Sequence, residues 1–76
     1  MMTVEKIIGK VFNVDPDELD DSSSRDTIKG WDSMAHLNLI LELEAEFKVR
    51  IAIADAIEMV DVEKTRRILR KYGVRC

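Results

Sequence analysis

The run from Ser33 to Phe47, Ser-Met-Ala-His-Leu-Asn-Leu-Ile-Leu-Glu-Leu-Glu-Ala-Glu-Phe, is the most strongly helical stretch of the chain. At 100° per residue, Leu37, Ile40, Leu43 and Phe47 share one arc, with Leu39 at its edge. A second row, Met34, Asn38, Leu41 and Ala45, follows on another side. That apolar arc is wider than a helix lying on a surface needs, so a helix over 33–48 has to pack against several neighbours. In 76 residues there is room for one domain, residues 1–76, built around it.

Apolar residues make up 46% and charged residues 36%, a folded rather than a disordered composition. A core this small leaves no apolar stripe to waste. The one cysteine, Cys76, can build neither a disulfide framework nor a zinc cluster within the chain. No apolar run approaches a membrane span, and Met-Met-Thr-Val-Glu-Lys lacks a signal-peptide pattern, so a cytoplasmic protein without membrane insertion is expected.

Net charge is −3, but it is unevenly spread. Residues 13–61 carry thirteen acids and four bases, whereas residues 62–76 carry six bases and one acid. An acidic body repels nucleic acid and favours protein partners. The basic end reads as a solvated helix face whose later cations suit a helix C-terminus.

Taken in order, Val4, Ile7, Ile8, Val11 and Phe12 form one stripe of a first helix over 3–13, with Thr3 as its cap. Gly9 weakens that helix and permits close packing. Asp15-Pro16 ends it. Residues 14–32 are a long connection, in which Pro16 to Leu19 can form one helical turn. Loops of this length are usually functional. Leu19, Ile28 and Trp31 are its apolar anchors, and Gly30 allows a tight bend. Residues 49–53 read as an extended linker whose isoleucines point inward. A short third helix over 54–59 places Ile57 on its inner face. Asp61 caps a fourth over 62–72, whose apolar positions are Val62, Ile68, Leu69 and Tyr72, and Gly73 ends it.

Asp15, Asp17 and Asp21 do not make a calcium loop, because Leu19, Asp20 and Asp26 stand where a ligand, a glycine and a glutamate are required; no metal is expected. Ser33 stands where the loop becomes a helix. By itself such a serine reads as a cap, a role Asp32 can also fill. His36 lies one turn on, but a Ser–His hydrolase lacks its G-x-S-x-G elbow and the residues for a substrate pocket. A half-buried histidine bonded to the loop is the reading preferred here.

Four helices, a long first loop, Gly30-Trp31-Asp32-Ser33-Met34 and the run Leu37-Asn38-Leu39-Ile40-Leu41-Glu42-Leu43-Glu44-Ala45-Glu46-Phe47 together resemble the acyl carrier protein family across nearly the whole chain. The resemblance implies an all-α, four-helix bundle with a short third helix, and a monomer that is not an enzyme. It implies that Ser33 is esterified by 4′-phosphopantetheine, taken from coenzyme A by a phosphopantetheinyl transferase. The arm would carry acyl groups as thioesters between acyl-loading and acyl-using enzymes of fatty acid, lipid or polyketide-type biosynthesis. Aminoacyl or peptidyl carriage and an unmodified helical interaction domain are the alternatives. Asp21-Ser22 is a second Asp-Ser pair, but Ser23-Ser24-Arg25 follows it and no helix does.

Asp32 would aid recognition by the transferase, and Met34, Asn38, Leu41, Glu42 and Ala45 would face partners. The familiar fatty-acid carriers place carboxylates on this outer row, and many have an acid where Ala35 stands. Here acidity survives at Glu42, Glu44 and Glu46. That departure points to a specialised member with a dedicated partner. Trp31 has two readings, a shield for the arm's base or a loop residue packed on the core.

Overall fold

The structure, a computed structural model, describes residues 3–75. Its elements are α1 (Val4–Phe12), a single 3-10 turn (Pro16–Glu18), α2 (Ser33–Phe47), α3 (Ile53–Glu58) and α4 (Val62–Lys71). It is all-helical, and no strand occurs among the described residues.

α1 is the hub, packed along α2, α4 and the 3-10 turn. Its stripe is buried at Val4, Ile7, Ile8 and Phe12. Thr3 caps it, its hydroxyl accepting from the Lys6 N–H at 3.2 Å. Asn13 ends it in the left-handed conformation, φ 57°, one that asparagine tolerates better than most residues. The chain then doubles back so closely that a Cβ on Gly9 would sit 2.5 Å from the Val14 carbonyl oxygen and 3.1 Å from Pro16 Cγ. Gly9 is what lets the connection fold down onto α1.

The long connection is tied down by its own polar groups. Asp20 Oδ1 accepts from the Ser22 N–H and hydroxyl at 2.9 and 2.7 Å. The hydroxyls of Ser23 and Thr27 accept from the N–H groups of Asp20 and Ser24. The Asp21 and Ser23 carbonyls take the first N–H groups of α4 from Glu63 and Val62, at 3.2 and 3.0 Å. Ile28 and Trp31 drop from this connection into the core, and Ile51 and Met59 fill it from the other side.

The charge segregation in the sequence resolves into contacts. Arg66 of α4 pairs with Glu5 of α1, at 2.8 Å, and with Asp21 of the connection. Lys71 pairs with Asp55 at 2.6 Å, and Arg67 with Glu63. The basic helix is stapled to the acidic body. The Lys71 ammonium, followed by the Tyr72 hydroxyl that donates to the same carboxylate, holds Asp55 below the ordinary aspartate range. α4 closes on Gly73, φ 85°, with the Val74 N–H returning to the Leu69 carbonyl at 3.1 Å, a Schellman-type end.

Three inward assignments from the sequence are corrected. Leu37, placed on the core arc of α2, is 55% exposed, and Leu39, placed at its edge, is fully buried. The buried face runs through Leu39, Ile40 and Leu43 because α1 lies against that side. Ile53 and Ile57, both expected to pack inward, are 80% and 67% exposed. On α3 the half-buried Ala56 turns toward the bundle, and Met59, just past its end, fills the core beneath.

Gly9→Ala tests the close approach. Alanine gains helix propensity by about 1 kcal/mol, yet the clash with Val14 should outweigh it and leave the variant less stable by about 1–3 kcal/mol. Urea unfolding measures the difference, and a stabilised variant would contradict the packing described.

Candidate functional site

The site is the junction where the connection becomes α2. Gly30, φ 95°, makes the bend, and a Cβ there would meet nothing within 4 Å, so conformation rather than space calls for glycine. Trp31 then turns into the core, 4% exposed, stacked on Phe12 with ring centroids 4.8 Å apart. Of its two readings, the buried one holds. Arg25 Nε donates to the Trp31 carbonyl at 3.4 Å and further fixes the approach.

Asp32 is the N-cap, its Oδ1 accepting from the Ala35 N–H at 2.8 Å. The cap role left open between Asp32 and Ser33 therefore falls to Asp32. Ser33 is the first residue of α2 and is exposed. Its hydroxyl has no hydrogen-bond partner among the described residues, and neither do the N–H groups of Ser33 and Met34. The result is an exposed hydroxyl at the positive end of a fifteen-residue helix, with unpaired backbone donors beside it. Such an end stabilises a phosphate ester.

His36 ties three elements together. Trp31 Nε1 can only donate, so at 2.9 Å His36 Nδ1 must accept. The ring proton then sits on Nε2, which donates to the Ala56 carbonyl of α3 at 2.8 Å. With both ring nitrogens engaged, His36 offers no base to the Ser33 hydroxyl, so the Ser–His hydrolase arrangement is not built. The histidine is half-buried and bonded to the connection, and it also holds α3, a link that no sequence pattern announced.

Beside Ser33 a groove of about 300 Å³ opens between α2 and α3. Leu37, Ile40 and Leu41 form one wall, Ile53, Ala56 and Ile57 the other, and Ile51 and Glu44 line it as well. Glu44 is not a free charge there, because its Oε2 accepts from the Ile51 N–H at 2.8 Å. Of the expected partner-facing residues, Met34, Asn38, Leu41 and Ala45 are all exposed. Of these, Leu41 lines the groove. Glu42 stands apart beside Lys10, its salt-bridge partner at 3.2 Å. Among the described residues, no cluster of His, Cys, Asp and Glu side chains could hold a metal ion, and no helix is long and apolar enough to cross a membrane.

No family model and no curated protein matches the chain. Among solved structures it is similar to the solution NMR structure of the holo acyl carrier protein from Geobacter metallireducens. The two share 27% sequence identity over 96% of this chain and 90% of that one, with a TM-score of 0.76.

The chain has the acyl carrier protein fold. Within that acyl-carrier fold, the residues the sequence missed are Leu37, Ile53 and Ile57. Their signal was present as apolar positions in excess of what one small core can bury.

His36→Leu tests the three-way tie. It would leave the buried Trp31 N–H without a partner and take one of two donors from the Ala56 carbonyl, which keeps the Met59 N–H at 3.3 Å, and should cost about 1–3 kcal/mol. Trp31 is the only tryptophan, so its emission reports the change directly. Unaltered emission and stability would contradict the arrangement.

Proposed function

We propose that the chain is a single carrier domain, an acyl carrier protein whose Ser33 is the attachment point for 4′-phosphopantetheine. The observation that carries this reading is the Ser33 hydroxyl: exposed, unbonded, on a helix already capped by Asp32, at the mouth of an apolar groove. A serine needed for capping would be drawn into its own helix. Here Asp32 has taken that task, and the hydroxyl is left for chemistry.

The roles follow from position. In the active site of a phosphopantetheinyl transferase, Ser33 Oγ would give up its proton to a base there and attack the coenzyme A phosphorus that bears the pantetheine; the P–O bond of the diphosphate breaks, adenosine 3′,5′-bisphosphate leaves, and the phosphodiester formed would face the free N–H groups of the first turn. Asp32 holds the turn rigid and presents a carboxylate to the transferase. The arm, once attached, supplies a thiol that carries acyl groups as thioesters. The groove walls offer apolar cover to whatever lies along them. Met34, Asn38, Leu41, Glu42 and Ala45 meet the acyl-loading and acyl-using enzymes. Because that row holds one carboxylate, already paired with Lys10, the reading favours a dedicated biosynthetic partner in the cytoplasm over the housekeeping machinery of fatty acid synthesis.

Incubation with coenzyme A, magnesium and a broad-specificity transferase, followed by intact mass measurement, tests this. We expect a phosphopantetheine-sized gain in the native protein and none in Ser33→Ala. No gain with several transferases would contradict it and leave an unmodified helical interaction domain.

A further inference from the structure

The connection that leads into α2 is strongly acidic. Between residues 14 and 32, seven acids stand against two cations, Arg25 and Lys29. Elsewhere in the fold Lys10, Arg66, Arg67 and Lys71 each meet a carboxylate. Arg25 does not, although acids surround it in the chain. Among the described residues no carboxylate pairs with it, not even that of Asp26 beside it. Its guanidinium makes one hydrogen bond, from Nε to the Trp31 carbonyl at 3.4 Å. Of the cations left unpaired, Arg25 is the one tied to the backbone at the approach to Ser33.

That bond carries a positive charge to the attachment junction. Trp31 precedes Ser33 by two residues, so their Cα atoms are at most about 7.6 Å apart. A guanidinium presents several donors in a planar fork, and only Nε is spent on the Trp31 carbonyl. The remaining N–H groups have no partner among the described residues. The same junction has a charge to balance. Asp32 is exposed, and its carboxylate stays beside Ser33 even as Oδ1 caps α2. A phosphodiester on Ser33 Oγ sets a second negative charge next to the first. Lys29 is not placed to answer it. It opens onto a hollow lined by Asn13, Glu18 and Asp20, which shares no residue with the groove beside Ser33.

We propose that Arg25 is the phosphate-binding residue of this carrier, its guanidinium holding the phosphodiester that joins the arm to Ser33. The proposal rests on the carrier reading of Ser33. Guanidinium and phosphate match in charge and in the fork geometry of their donors and acceptors. The pair offsets the repulsion between the phosphate and Asp32. It also fixes the first bonds of the arm, while the pantetheine beyond them stays free to swing. Arg25 is exposed, so the pair is modest in strength and weakened by salt.

A thermodynamic cycle tests this. Native protein, Arg25→Gln and Lys29→Gln are each melted before and after phosphopantetheine transfer, with the transfer verified by intact mass. The bond from Arg25 to the Trp31 carbonyl is lost in both forms of Arg25→Gln, so its structural effect cancels. At about 50 mM salt, modification should raise the melting temperature of native protein by about 2–5 °C more than that of Arg25→Gln. Lys29→Gln should behave as native, and the difference should shrink at about 500 mM salt. The phosphorus NMR resonance of the modified protein gives a reading that needs no unfolding: Arg25→Gln should move it and Lys29→Gln should not. Equal modification shifts in native protein and Arg25→Gln, an unmoved phosphorus resonance, or a loss shared equally by Lys29→Gln would overturn the proposal while Ser33 is still modified. No phosphopantetheine on any of the three proteins would instead overturn the carrier reading on which it rests.

Discussion

The contact on which the rest depends is the indole N–H of Trp31 on His36 Nδ1. Through it one buried side chain fixes three things. Its ring, stacked on Phe12, anchors the connection to α1. Its donor sets the tautomer of His36, and so directs a proton at the Ala56 carbonyl and holds α3 in place. Its backbone leads directly into Asp32, so the cap of α2 starts from a fixed point. The groove and the free serine are both consequences. α3 forms one wall of the groove only because His36 and the Asp55–Tyr72 pair hold it there. Ser33 is exposed only because Asp32 caps in its place.

α3 shows how that design is balanced. It buries none of its six residues, and its N-terminus has no side-chain cap. Its attachments are polar: His36 to Ala56, Lys71 and Tyr72 to Asp55, and the Tyr72 hydroxyl accepting from the Ala52 N–H at 3.0 Å. Hydrogen bonds of this kind contribute modestly in net terms and depend on geometry. The helix is thereby positioned without using its isoleucines, which remain on the outside beside the serine. In a chain with so small a core, leaving large apolar groups in water is a cost that only a partner can recover.

Much of this was legible in the sequence. The stripe of α1, the Thr3 and Asp61 caps, the helical turn opening at Pro16 and the start of α2 at Ser33 follow from local chemistry, and the structure has them; the end of α1 comes earlier than Asp15-Pro16 suggested, at the left-handed Asn13. What was not legible is which of two equally spaced rows on α2 faces inward. Leu37 and Leu39 are the same residue, two positions apart, and the choice between them depends on where α1 lies. The same ambiguity placed Ile57 inside, where the smaller Ala56 belongs. On a six-residue helix the period is too short to decide, and hydrophobicity alone favoured the wrong residue. The serine's freedom was also undecided, because Asp32 and Ser33 are both good caps and only geometry shows which one serves.

The central claim is that Ser33, and no other hydroxyl, carries the arm. Tryptic cleavage after Lys29 and Lys48 isolates residues 30–48, in which Ser33 is the only hydroxyl-bearing side chain, while Ser22, Ser23 and Ser24 fall within residues 11–25. Peptide mass mapping of transferase-treated protein should place the whole phosphopantetheine gain on 30–48 and none on 11–25. A gain on 11–25, or an unmodified 30–48 peptide, would contradict the account.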